Sequence, residues 1–140
     1  MNIHDCISRL TTSGNIFLES DDPRNGQIGK WLYGCDVCTG CCPHNAKKWP
    51  GGNEFPGLDE VAEYLNPRTI LRMNYGQIAQ ILMPRYFYLH EKDLWKWKVN
   101  ALNVLANGWQ AEYADDVRAV LSDVDARVRA KAGWVLNSKI

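Results

Sequence analysis

No apolar run in this 140-residue sequence approaches the roughly 20 residues that a bilayer-spanning helix needs. The first ten residues, MNIHDCISRL, lack the basic head and apolar stretch of a secretion signal. Net charge is missing too, because sixteen acidic and sixteen basic side chains cancel. No global field therefore favours nucleic acid or a membrane surface, and any basic surface must be a local patch. Paired carboxylates, a Ser/His/Asp set and a glycine-rich phosphate loop are all lacking, so no catalytic centre stands on side chains alone. Histidine is scarce: His4, His44 and His90 are three isolated residues. These absences predict a cytoplasmic protein with no membrane association.

What is present points to a folded chain. Apolar residues make up 46% and there are six tryptophans, at a length that suits one compact domain or two small subdomains sharing a core. The five cysteines are an odd number, which argues against a closed disulfide framework. In a cytosolic chain, clustered cysteines point to metal binding or redox chemistry.

Composition divides the chain into zones. Residues 1–57 hold every cysteine and most of the glycines, with the turn signals SGN, DDPRNG, WPGGN and FPG. This stretch reads as loop-rich, with at most short helices, one of them over Asp5 to Leu10. It has too few periodic apolar residues to build a core, a deficit that a metal centre could make up. Residues 58–140 read as helical. LDEVAEYL carries a helical spacing that Asn66-Pro67 ends, Thr69 to Met73 is a further turn, and Tyr75 to Met83 places Ile78, Ile81 and Leu82 on one face before Pro84. From residue 91 onward, DLWKWKVNALNVLANG, DDVRAVLSD and DARVRAKAGWVLNS predict three amphipathic helices, with Asp123 or Asp125 as N-cap of the last. KVNALNVLAN (98–107) echoes RAKAGWVLNS (129–138) at an offset of 31, a spacing that fits stacked helical repeats, and DVDARVRAKAGWVL resembles the second half of a HEAT repeat. The predicted fold is mainly α, a ferredoxin-like cluster-binding segment over 1–57 packed on a short HEAT-like helical region over 58–140.

The cysteine run is YGCDVCTGCCPHN, residues 33 to 45. Cys35-x2-Cys38 puts two thiolates on one tight turn, and Cys38-x3-Cys42-Pro43 repeats the ending of the bacterial ferredoxin run. Gly34, Thr39 and Gly40 supply the small residues that let backbone amides point at sulfur. Two metals fit the donor set. One is an iron–sulfur cluster. The other is zinc, closed by Cys6, Cys35, Cys38 and Cys42 with His4 or His44 as a substitute ligand. The Cys-Pro ending favours iron–sulfur.

CISRLT followed by YGCDVCTGCCPHN resembles the iron–sulfur region of the epoxyqueuosine reductases, which make the last reduction in queuosine biosynthesis on tRNA. The family's order is a C-I-S-x-L-T element, a Y-G-C-D-x-C-x-x-x-C-P-x-N run and a helical, HEAT-like C-terminal region, and the likeness covers nearly the whole chain. The resemblance implies that Cys6, Cys35 and Cys38 bind one [4Fe–4S] cluster and that Cys42 serves another. Both clusters would be completed by an upstream cysteine run that this sequence does not show. It also implies a cobalamin-binding catalytic domain, expected from a missing N-terminal part or a partner. Cys41 stands where the family has an apolar residue, and it gives the three-ligand ferredoxin spacing C-x2-C-x2-C. The expectation is thus one cluster held by Cys6, Cys35, Cys38 and either Cys41 or Cys42.

That makes the chain an electron-transfer module of epoxyqueuosine-reductase type, not catalytic alone, with a redox protein as partner and tRNA as a further one. The alternative is a zinc-stapled helical module that binds RNA or protein. For RNA or partner contact, PRYFYLHEKDLWKWK offers Arg85, Lys92, Lys96 and Lys98 among aromatics. Against that stands a simpler reading, a helix whose aromatics face the core while its lysines are solvated. Arg127, Arg129 and Lys131 read as ordinary surface charge.

Overall fold

The computed structural model describes residues 2–45 and 57–140, all helix, turn or loop. The turn signals expected over 49–56 and the neighbouring 46–48 lie outside the described residues. The elements are α1 (Ile7–Thr12), the single turns α2 (Arg24–Gln27) and α3 (Val37–Gly40), then α4 (Leu58–Ala62), α5 (Pro67–Arg72), α6 (Tyr75–Ile81), α7 (Trp95–Asn107), α8 (Ala114–Ala119) and α9 (Ala126–Lys139). No strand occurs among the described residues, and the architecture is mainly α.

Several helix starts are written locally. Asn74 and Gln77 form a reciprocal capping box at the start of α6, with Asn74 Oδ1 accepting from Gln77 N–H and Gln77 Oε1 from Asn74 N–H, each at 2.9 Å. Asp125 caps α9 by accepting from Arg127 N–H at 2.9 Å. Asn66-Pro67 was expected to end a helix over 58–65, but α4 stops at Ala62 and Pro67 opens α5, with Asn66 Oδ1 accepting from Arg68 N–H at 2.9 Å. Proline suits a first helical position, where its missing N–H would have no partner anyway. The helix expected over Asp5–Leu10 begins two residues later, because Asp5 belongs to a preceding 3-10 turn over Ile3–Asp5.

One main core runs through α5 to α9. It includes Ile70, Ile78, Leu82, Trp97, Ala101, Leu102, Val117, Val128, Ala132 and Val135, all with no exposed surface. The echoed positions Ala101, Ala132 and Val135 all lie in it. Residues 2–45 have just a small buried cluster of their own, Leu10, Leu18 and Ile28 with Ile16 against it, and lay Phe17, Leu32 and Tyr33 against the main core. At about 25 cal/mol per Å² of apolar surface removed from water, so few side chains cannot hold some forty residues of chain.

The loop-rich segment is instead held by polar side chains of α7 and α9. An irregular backbone leaves carbonyls that need donors once covered, and the long helices provide them. Lys96 Nζ donates to Ile16 O. Lys131 Nζ donates to Leu18 O at 2.8 Å and to Asn25 Oδ1 at 2.9 Å. Asn107 Nδ2 reaches Asn25 O and Gly29 O at 2.9 and 3.1 Å. Aromatic faces add to this, with Tyr33 stacked on Trp97 at 4.9 Å between centroids and 8° between planes. In consequence α7 is buried on nearly every side.

Candidate functional site

The cysteines divide between two elements. Cys6 is the N-cap of α1, where its carbonyl accepts from Leu10 N–H at 2.9 Å and its own N–H donates to Ile3 O. The other four lie on the loop around α3. Gly34 introduces that loop at φ +70°, a left-handed conformation that suits glycine. Beyond it, Gly40 N–H donates to Asp36 O at 2.8 Å, Cys41 N–H to Val37 O at 3.0 Å and Asn45 N–H to Cys42 O at 2.9 Å. The Asn45 side chain closes the turn by donating to Thr39 O at 3.0 Å. Asp36 stands at the N-cap of α3 without a side-chain capping bond.

All five thiols are free. Cys6, Cys35 and Cys42 are half-buried, while Cys38 and Cys41 are exposed. No residue from 35 to 45 is fully buried, and Val37 is 58% exposed. The loop thus has hydrogen bonds within itself and no apolar core under it. The adjacent Cys41 and Cys42 differ: Cys41 Sγ faces solvent and reaches Cys38 O at 3.6 Å, while Cys42 is partly covered.

Thiolates are the donors that iron–sulfur clusters and zinc take, so the chemistry of the set fits either. The arrangement does not. Among the described residues, no three His, Cys, Asp or Glu side chains come together as a group that could hold a metal ion. His4 and His44 are both exposed, and neither completes a set with the thiols.

Cys6 opens on a surface groove of about 670 Å³ whose lining includes Arg9, Tyr88, His90, Lys92 and Asp93. Lys92 is therefore placed beside a cysteine-bearing element. The other residues considered for RNA or partner contact do not join it in one patch. Lys96 is 2% exposed and Lys98 6%, which corrects the expectation of solvated lysines. Lys98 is ion-paired with the equally buried Asp123 at 2.7 Å, and Arg85 is paired with Glu60 at 2.6 Å. The tryptophans do face the core, Trp95 at 3% and Trp97 at 0% exposure. Burial pushes the Lys96 ammonium down to about 7, with the Lys131 and Arg127 cations adding to it. Burial also lowers Lys131, to about 8, so this residue is not the surface charge it was expected to be.

No family model matches the chain, and no solved structure matches it significantly. A curated protein does: the epoxyqueuosine reductase of Staphylococcus aureus (strain NCTC 8325 / PS 47) is 30% identical over 144 aligned positions, which take in 97% of this chain. The chain resembles epoxyqueuosine reductase along almost its whole length. It spans about a third of that relative, 34%. The epoxyqueuosine-reductase likeness thus covers both the cysteine-bearing segment and the helices that hold it.

Sequence reasoning missed the residues that seat the cysteine segments. Thr11 had a signal, since it closes the CISRLT element, yet its hydroxyl was given no role. Asn100, Asn107 and Lys131 had none, because a polar residue within an amphipathic helix reads as solvated. None of the described helices is long and apolar enough to cross a membrane.

Proposed function

We propose that the chain serves as the thiolate-bearing redox part of an epoxyqueuosine-reductase-type system acting in tRNA modification. The observation that carries this reading is the alignment of nearly the whole chain with a reductase of that name, in a molecule four of whose five free thiols lie on a loop without a core. Cys6, Cys35, Cys38 and Cys42 are the residues that would hold iron–sulfur, with Cys41 as the competitor of Cys42 for the last position. When bound, a [4Fe–4S] cluster supplies single-electron relay. The described residues bring no three of these donors together, so closing a ligand set requires the loop to rearrange or donors from outside the described residues. Catalysis, cobalamin and the tRNA substrate belong in this reading to the rest of such a system, and a redox protein is its electron partner.

Iron and acid-labile sulfide per chain, measured on protein prepared or reconstituted without oxygen, test the reading. About four of each per chain, with a broad absorption band in the visible, are expected. Cys42→Ser and Cys41→Ser then separate the two candidates, because only loss of the true ligand lowers the iron content. A colourless chain that retains no iron after reconstitution would sink the redox role, as would one that holds a single zinc.

A further inference from the structure

Two cysteine-bearing pieces of backbone meet at one buried amide. Asn100, in the middle of α7, has no exposed surface, and its Nδ2 donates to Thr11 O at 2.8 Å and to Leu32 O at 3.0 Å. Thr11 lies in the last turn of the short helix that Cys6 caps, and Leu32 lies three residues before Cys35. The two pieces are also joined directly, since the Thr11 hydroxyl, equally buried, accepts from Gly34 N–H at 3.0 Å and donates to Ile7 O at 2.8 Å. Tyr33, between Leu32 and Gly34, stacks on Trp97, and its hydroxyl accepts from Tyr88 N–H at 3.2 Å. Three consecutive residues before Cys35 are therefore each tied down, two of them to the Asn100–Thr11 node.

We infer that Asn100 and Thr11 are positioning residues that fix where Cys6 stands relative to Cys35. The geometry favours this over general packing. α1 is a rigid rod of less than two turns from its Cys6 cap to Thr11, so holding Thr11 O also fixes the thiol end. The loop beyond Gly34 has no buried side chain to orient it, so the bonds at Leu32 and Gly34 set the direction in which Cys35 leaves the core. A side-chain amide suits the task because it carries two N–H donors at a fixed angle, one for each carbonyl. Leaving either carbonyl buried without a donor would be costly, which favours a single arrangement of the two pieces. The inference deepens the redox reading and rests on it for its purpose.

The test uses the full chain with Cys38→Ser, Cys41→Ser and Cys42→Ser, spin-labelled at Cys6 and Cys35, and reads the distance distribution between the labels. One narrow distribution is expected. Thr11→Val, which keeps the shape and removes the hydroxyl, should broaden it, and Thr11→Ser, which restores the hydroxyl, should return it to its original width. In the unlabelled chain, amide exchange at Gly34 should quicken by about five- to tenfold in Thr11→Val, the expected effect of one lost hydrogen bond, with α9 amides unchanged. Asn100→Asp, which replaces both donors by a carboxylate facing two carbonyls, should broaden the distribution further. If that variant does not fold, the Thr11 series decides alone. A distribution equally narrow in Thr11→Val, or equally broad in Thr11→Ser and Thr11→Val, overturns the inference. Iron content tests the redox reading and label distances test the node, so the two can fail separately.

Discussion

Gly14 and Asp93 show how little room the join between the two halves leaves. A β-carbon at residue 14 would overlap the Asp93 carboxylate, and Asp93 is itself only 9% exposed. Gly14→Ala should therefore cost about 1–3 kcal/mol, the range for an overpacked site, read as a lower urea midpoint. An unchanged midpoint would show that Asp93 can swing away. Lys96 and Lys131 make a second residue-scale case. Burial holds their ammonium groups at about 7 and about 8 in the fold, against an ordinary value near 10.4 in the unfolded chain. Between those values the unfolded chain binds more protons than the folded one, so stability rises with pH from about 7 toward 10. Above that range the trend reverses: burial, and then the hydrogen bond to Asp123, raise the Tyr75 phenol in the fold, while an unfolded tyrosine ionises near 10. Urea midpoints across this range should show the rise, and Lys96→Met should flatten it even if it lowers the midpoint overall.

Among the elements, α7, α6 and the link before α9 meet at one carboxylate. Asp123 pairs with Lys98 at 2.7 Å and accepts from the Tyr75 hydroxyl at 2.7 Å and from Asp125 N–H at 2.9 Å. Burial pushes the Asp123 carboxyl up, but these three donors outweigh it and hold the group below the usual carboxylate range. Removing one partner of a buried pair leaves the other charge uncompensated, at a cost of about 3–5 kcal/mol. Asp123→Ala should show that loss in chemical denaturation, whereas Asp123→Ala combined with Lys98→Met should regain part of it. A double variant no more stable than the single one would assign the loss to Tyr75 and the link instead. Asp116 plays a comparable part between α5 and α8, accepting from Arg68 Nε and Arg72 Nε at 2.6 Å each. The offset-31 echo and the cap at Asp125 were legible in the sequence because caps and periodicity are local signals. The ion pairs were not, since Arg68 and Asp116 are 48 residues apart.

Across the whole molecule, stability should grade from the helical core to the cysteine loop. α7 is enclosed by other elements, whereas residues 35–45 lie on the surface with only their own turn bonds. Hydrogen exchange on the metal-free chain should find the slowest amides in α7 and the fastest in the loop, with α1 and residues 32–34 between them. If iron binds as proposed, the amides of the loop and of α1 behind Cys6 should slow on loading while those of α7 stay unchanged, because the core is already closed. Loop amides as slow as those of α7 without metal would contradict the picture of a loop without a core.

The cysteine spacing, the mainly helical character, the three C-terminal helices and the likeness to epoxyqueuosine reductase could all be read from the chain itself, because spacing, capping and apolar period are properties of neighbouring residues. What covers α7 could not. Its lysines were expected to be solvated, yet Lys96 and Lys98 are buried, as are Asn100 and Asn103, and Lys96 and Asn100 supply donors to carbonyls more than sixty residues away. The sequence by itself determined which residues carry sulfur and which segments become helices. The tertiary structure alone decided how the sulfur-bearing segments are held, because a loop too poor in apolar side chains for a core of its own must take its hydrogen-bond partners from distant helices.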